Sequence, residues 1–227
     1  MTSPSGITLE QVSLKLGKHS VFRDLSLRLA GCQWHSLLGR SGIGKSSLLR
    51  IIAGLQRADS GKVYSDEGAP LSSRIAYMAQ DDGLLPWLTA RQNIQLGPRL
   101  RTENLQDSDR QVDELLDRVG LSPWADALPA VLSGGMRQRV ALARTLLEKR
   151  DIVLMDEPFS RLDAITRDEL QSLSFDLLQG RTVLLVTHDP MEALRLSHVL
   201  HVLEPGSPTS IQSMPLTTEP LRAIDHE

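Results

Sequence analysis

A chain of 227 residues with 25 Lys and Arg against 28 Asp and Glu, 41% hydrophobic and 23% charged, has ordinary globular composition and room for one large domain. Its net charge of −3 argues against a general electrostatic grip on nucleic acid. The single cysteine, Cys32, excludes an internal disulfide framework and any cysteine-rich metal centre. The N-terminus has no basic region followed by an apolar run, and the longest apolar stretches are strand-length. No signal peptide or membrane span is expected, and any membrane association would come through a partner.

The first thirty residues alternate. Val12, Leu14 and Leu16, then Leu25, Leu27 and Leu29 across a polar break at 17–20, predict antiparallel strands with one buried face. Ser36-Leu37-Leu38 reads as a short strand entering a glycine-rich turn, and Lys45 to Ala53 as a helix closed by Gly54. A strand over Ile75 to Met78 follows. From Asp81 to Leu132 the signals are helical or loop-like, punctuated by prolines. Val112, Leu115, Leu116 and Val119 mark one helix face, with Ser108 and Gln111 spaced as a capping box and Gly120 as the stop. Beyond Ser133 the chain reads as a helix (135–148), the apolar strand Ile152 to Met155, a helix (164–178), and a strand over Thr182 to Thr187. A short helix after Pro190 and a strand over Val199 to Leu203 complete the series. Apolar strands separated by helices predict a mostly parallel sheet covered on both faces. The Pro-, Ser- and Thr-rich tail after Pro205 has no periodicity and reads as peripheral. Asp24, Trp34 and His35 read as surface or strand-edge residues, and Phe22 as core.

Three segments carry chemistry. Gly39-Arg40-Ser41-Gly42-Ile43-Gly44-Lys45-Ser46 matches G-x-x-x-x-G-K-[ST] between a buried strand and an amphipathic helix. Its glycines let the backbone wrap phosphates, Lys45 would neutralise them, and the Ser46 hydroxyl would ligate Mg2+. The strand Ile152 to Met155 delivers Asp156 to a sheet edge where it can hold Mg2+, and Glu157 one residue on can orient a water for attack on a γ-phosphate. Ser133-Gly134-Gly135-Met136 opens a long helix and forms a second anion-seeking N-terminus. One complete P-loop already cradles the phosphates, so a second such element suggests a nucleotide shared between two chains.

Over roughly residues 6–206 the sequence resembles the ATP-binding cassette (ABC) transporter ATPases. Gly39 to Ser46 resembles the Walker A motif, Leu132 to Met136 the LSGGQ signature with Met for Gln, and Asp151 to Glu157 the Walker B motif with its glutamate. Gln80 resembles the Q-loop glutamine, Ser160 to Asp163 the D-loop, and His188 the switch histidine. The resemblance implies an α/β P-loop NTPase core with an N-terminal antiparallel β subdomain and a helical insert. One ABC ATPase domain would span 1–210, the insert 84–132, and a tail 211–227. It also implies ATP and Mg2+ as cofactors. In a head-to-tail homodimer, the loop Gly39 to Ser46, Ser47 and Leu16 would contact one ATP together with the partner's Ser133 to Met136. Asp163 would sit at the seam. Glu157, His188 and Gln80 would act in hydrolysis, and Ser46, Gln80 and Asp156 on the metal.

Two departures stand out. The position where the family presents an aromatic residue to the adenine falls on or near Leu16 in this chain, which predicts looser base discrimination; Arg161 replaces a small D-loop residue. The run Gly83-Leu84-Leu85-Pro86-Trp87-Leu88-Thr89, together with LSGGM-R-Q-R-V, resembles the subgroup serving nitrate, sulfonate and taurine importers and those for pyrimidine thiamine precursors. Leu84, Leu85 and Trp87 suit a groove for a helix of a separate transmembrane permease. A solute-binding protein, residence on the cytoplasmic face of the inner membrane, and no nucleic-acid partner complete the expectation. An ABC exporter or a soluble non-transport ABC ATPase are the alternatives. Exporters are often fused to membrane spans, and soluble members carry two cassettes or a long coiled coil.

Overall fold

A computed structural model describes residues 5–17, 19–68, 71, 73–104, 106–206 and 210–216. The expected tail beyond 216 lies outside these. The chain divides into two compact units, one built from 1–77, 150–157 and 179–227, the other from 78–149 and 158–178.

The first unit begins with β1 (Ile7–Leu16), antiparallel to β2 (His19–Leu29) and to β4 (Ser60–Ser65). Buried positions run Ile7, Leu9, Val12, Leu14 on β1 and Phe22, Leu25, Leu27, Leu29 on β2. The period of two therefore breaks once on each strand. Gln11 (φ 49) and Asp24 (φ 52) take the left-handed conformation at these breaks, where the β1–β2 register shifts, and each extra residue returns the next apolar side chain to the core. The Ser13 hydroxyl accepts the Asp24 N–H at 3.0 Å and fixes the kink. A further shift between Leu14 and Lys15 ends the alternation. Leu16, the last residue of β1, is 52% exposed.

The second sheet of this unit holds β3 (Trp34–Gly39), β5 (Ile75–Met78), β6 (Ile152–Asp156), β7 (Thr182–Val186), β8 (Val199–Glu204) and β9 (Ser210–Pro215), in the order β5-β6-β7-β3-β8-β9. β3 runs parallel to β7 and β8, and β6 parallel to β7. Ile152 to Met155 and Val183 to Val186 are wholly buried, as uninterrupted apolar strands in the middle of a parallel sheet must be. Helix α1 (Lys45–Ile52) follows β3 and inserts Leu48, Leu49, Ile51 and Ile52 into a core shared by both sheets. The antiparallel sheet thereby packs into the same unit as the glycine-rich loop at 39–46.

The segment after Pro205 is not irregular throughout, because Ser210–Pro215 pairs with β8 in antiparallel register. Trp34 and His35 are not edge residues: they lie on an interior strand and are 2% and 1% exposed. His35 is held in a polar chain. Its Nε2–H donates to the Ala30 carbonyl at 3.0 Å, its Nδ1 accepts from His201 Nε2–H at 3.0 Å, and His201 Nδ1 accepts from the Ser213 hydroxyl at 2.7 Å. The carbonyl at one end can only accept, which sets both tautomers. Ser213 lies on β9, so the tail strand is fastened to the strand that leads into the P-loop.

The second unit is helical, with α2 (Ala90–Ile94), α3 (Leu96–Leu100), α4 (Gln106–Arg118), α5 (Gly134–Leu147) and α6 (Ala164–Leu177). Val112, Leu115, Leu116 and Val119 are buried as their spacing requires. Ser108 is inside α4 and buried, not its cap, because the helix starts at Gln106. Helix α2 carries a capping box instead: Thr89 Oγ1 accepts the Gln92 N–H at 3.2 Å and Gln92 Oε1 accepts the Thr89 N–H at 3.1 Å.

Candidate functional site

In the first unit the turn from β3 into α1 is shaped by two glycines. Gly42 stands at φ 78 and Gly44 at φ 110. A Cβ on Gly44 would lie 2.4 Å from Val21 Cγ1 and 2.8 Å from Phe22 Cζ, so β2 packs directly under the loop and only glycine fits. Gly44 occupies the N-cap of α1 and has no side chain to offer the first helical N–H groups, which leaves these donors to a ligand. Lys45 is 6% exposed and curls back, donating to the Gly39 carbonyl at 2.7 Å and the Arg40 carbonyl at 3.1 Å. Burial lowers its pKa, and the carboxylates of Glu157 and Asp156 oppose that shift. The ammonium is thus buried within the loop and feels the charge of two acids. Arg40, Ser41 and Gly42 are exposed, and Ile43, Ser46 and Ser47 half-buried.

Asp156 ends β6 at 1% exposure. Burial raises its pKa, the Ser46 hydroxyl hydrogen bond lowers it, and the charge of Glu157 raises it. Its Oδ2 is buried without a hydrogen-bond partner. A buried, orphaned carboxylate oxygen beside a serine hydroxyl is the oxygen donor pair that a hard divalent cation takes, so these residues fit Mg2+. Glu157 follows at φ 50, a left-handed conformation that is costly for a side-chain-bearing residue, and its N–H donates to the Val186 carbonyl at 2.9 Å. His188 lies just past β7, with Nδ1 3.5 Å from Glu157 Oε2. The hydroxyl of Thr187 accepts the Asp189 N–H, and Asp189 caps the next helix, α7 (Pro190–Leu196), so His188 is bracketed by fixed neighbours. The first unit therefore brings together the P-loop, Asp156, Glu157 and His188. Leu16 stands at the β1–β2 turn opposite His19.

The remaining candidates belong to the second unit. Gln80 is exposed two residues past β5. Ser133 is the N-cap of α5, its hydroxyl accepting the Met136 N–H at 3.2 Å, and Gly134 and Gly135 open the first turn. A Cβ on Gly135 would meet the Arg161 carbonyl at 3.3 Å. Asp163 is exposed and caps α6; the Thr166 N–H, 3.0 Å from Oδ1, holds its carboxyl below the usual range. Sequence reasoning missed Gln138, whose buried Oε1 accepts the Arg161 N–H at 2.9 Å, and the Arg137–Asp82 pair. No periodicity marks such contacts, since they join loops to a helix through single polar atoms.

The parallel sheet, the glycine-rich loop and the acids at the end of β6 define a P-loop nucleotide-hydrolysing protein. Residues 22–160 match the ABC transporter family model. The chain is 44% identical over 200 residues to an aliphatic sulfonates import ATP-binding protein, SsuB 1, of Pseudomonas savastanoi pv. phaseolicola, covering 87% of this chain and 80% of that one. It is 43% identical over 199 residues to an uncharacterized ABC transporter ATP-binding protein of Haemophilus influenzae, covering 87% and 81%. Among solved structures, the dimeric ATP-binding cassette MJ0796 bound to ADP and Pi aligns at a TM-score of 0.83 and 28% identity, over 94% of this chain and all of that one. The chain belongs to the ABC transporter family and is an ATP-binding ATPase.

Proposed function

We propose that this chain powers an ABC importer for a small organic anion of the sulfonate class, working as a head-to-tail homodimer beneath separate permease subunits on the cytoplasmic face of the membrane. A separate solute-binding protein would deliver the solute. Among the described residues no helix is long and apolar enough to cross a membrane. The solute class follows the names of the sulfonate-import relatives. The observation that carries the hydrolytic part is the convergence of Lys45, Asp156, Glu157 and His188 at one sheet edge.

In this reading the loop N–H groups and Lys45 bind the phosphates of ATP, Ser47 supports the loop, and Leu16 lies against the base. Ser46 and Asp156 would hold Mg2+, Gln80 would attend that cation or the attacking water, and the cation would supply positive charge to the phosphate oxygens. Glu157 takes a proton from the attacking water as its oxygen bonds to the γ-phosphorus and the bond to ADP breaks. His188 steadies Glu157 and the γ-phosphate. The partner's Ser133, Gly134, Gly135 and Met136 close over the same phosphate, and Asp163 lines the seam. ATP then joins the dimer, and phosphate release loosens it.

Deletion of the gene tests the solute class. Uptake of radiolabelled ethanesulfonate should fall to background while sulfate uptake persists. Unchanged sulfonate uptake would reject the assignment.

A further inference from the structure

Arg137, on the first turns of α5, reaches two separate loops of the second unit with one guanidinium. Its Nε donates to Asp82 Oδ2 at 3.0 Å and its Nη1 donates to the Leu132 carbonyl at 2.8 Å. Leu132 immediately precedes Ser133, and Asp82 lies two residues beyond Gln80. Asp82 is held from its other side as well. Arg144, also on α5, donates from Nη2 to the Asp82 carbonyl at 2.6 Å and from Nη1 to the Gly83 carbonyl at 3.0 Å. The Arg137 and Asp82 side chains are 33% and 21% exposed, which screens them less than an open surface pair. A planar fork with donors in two fixed directions suits this double contact; a lysine ammonium on a flexible stem does not.

We propose that Arg137 is a positioning residue of the ATPase site. It fixes the spacing between the loop that carries Gln80 and the helix start that carries Ser133, so that neither moves without the other. The proposal rests on the reading above, in which Gln80 attends the chain's own ATP and Ser133 the partner's, and adds a mechanical link between the two. The guanidinium of Arg137 is engaged by Asp82 and the Leu132 carbonyl. Its loss should therefore leave nucleotide capture by one chain intact and slow the turnover that needs both sites closed.

The test compares Arg137→Ala, Asp82→Asn and the double variant in the full chain, measuring melting temperature, affinity for a fluorescent ATP analogue, and ATPase kcat. Each single variant should lose about tenfold in kcat, the scale of one charge-assisted hydrogen bond, with affinity and melting temperature unchanged. The double variant should lose no more than either single one. Arg137→Lys should fall short of rescue. A wild-type kcat in Arg137→Ala, or independent losses that multiply in the double variant, would overturn the proposal. If Arg137→Ala unfolds, the near-isosteric Asp82→Asn, which keeps both Arg144 contacts to the backbone, decides by the same criteria. Ser133→Arg separates the two readings. If it leaves ATPase intact, the shared-site reading falls and this link with it. If it abolishes ATPase while Arg137→Ala does not, only the link falls.

Discussion

His188 Nδ1 and Glu157 Oε2 stand 3.5 Å apart, joining the loop after β7 to the acid after β6. In the proposed reading, this pairing would let His188 act through Glu157 as well as toward phosphate. Glu157→Gln should keep ATP binding and lose about 10²–10⁴-fold in hydrolysis, the range for a general base. If His188 acts mainly by orienting Glu157, adding His188→Ala to Glu157→Gln should cost little more. Steady-state ATPase of the two single variants and the double decides this, and near-normal turnover in Glu157→Gln removes Glu157 from the chemistry.

Lys45 and Ser133 are predicted to serve different copies of the chain. Lys45→Ala should weaken ATP binding about tenfold or more, because the phosphates lose a charge-assisted donor. Mixing Lys45→Ala chains with Ser133→Arg chains should regain one intact composite site per heterodimer, although each variant alone is inactive. The readout is ATPase across mixing ratios, repeated in a covalently linked dimer. Failure to recover in the linked form, when a linked wild-type/mutant dimer is active, would exclude a shared site.

Much of this arrangement is legible in the residues because backbone chemistry dictates it. A phosphate loop needs Gly42, Gly44 and Lys45 at fixed spacing, and Ile152 to Met155 can deliver Asp156 and Glu157 only to a strand end. Ser133 ahead of two glycines likewise announces a cap. What escaped depends on tertiary placement. The bulges at Gln11 and Asp24 reset the buried face without a glycine to mark them. β9 lacks apolar alternation because it lies at the sheet edge. His35 looks like a surface residue until His201 and Ser213 are found beside it, and nothing local tells Arg137 that Asp82 is its neighbour.

The His35–His201 chain predicts acid sensitivity. Burial pushes the His35 pKa down to about 4, with the Ala30 carbonyl opposing the shift. Burial, with His35 adding to it, pushes the His201 pKa down to about 3. Both rings stay neutral in the fold while the unfolded chain protonates near pH 6.5. Stability is therefore fully present above that value and is lost as pH falls toward the folded pKa values, by about 2 kcal/mol for each ring at pH 5. Urea unfolding at pH 7 and 5, with imidazole NMR shifts, checks this. Rings that titrate near 6.5 in the folded protein would refute it.

Trp87 is 70% exposed, whereas the turn that presents it is pinned by hydrogen bonds. Asn93, wholly buried on α2, accepts the Leu85 N–H at 2.8 Å and donates to the carbonyls of Leu85 at 3.1 Å, Leu88 at 2.9 Å and Thr89 at 3.1 Å. One amide thus braces both sides of the residue while the indole itself contributes little to the core. Trp87→Ala should leave melting temperature and basal ATPase near wild type but weaken assembly with the permease by about thirtyfold, the effect of losing an interface hot spot. Asn93→Ala should do the reverse first, costing about 2–3 kcal/mol of stability by leaving buried backbone groups unpaired. Thermal unfolding of the two variants alone, followed by co-purification with the permease, separates presentation from contact. If Trp87→Ala melts like Asn93→Ala, the indole belongs to the fold, and docking would have to rest on Leu84 and Leu85, which are already half-buried.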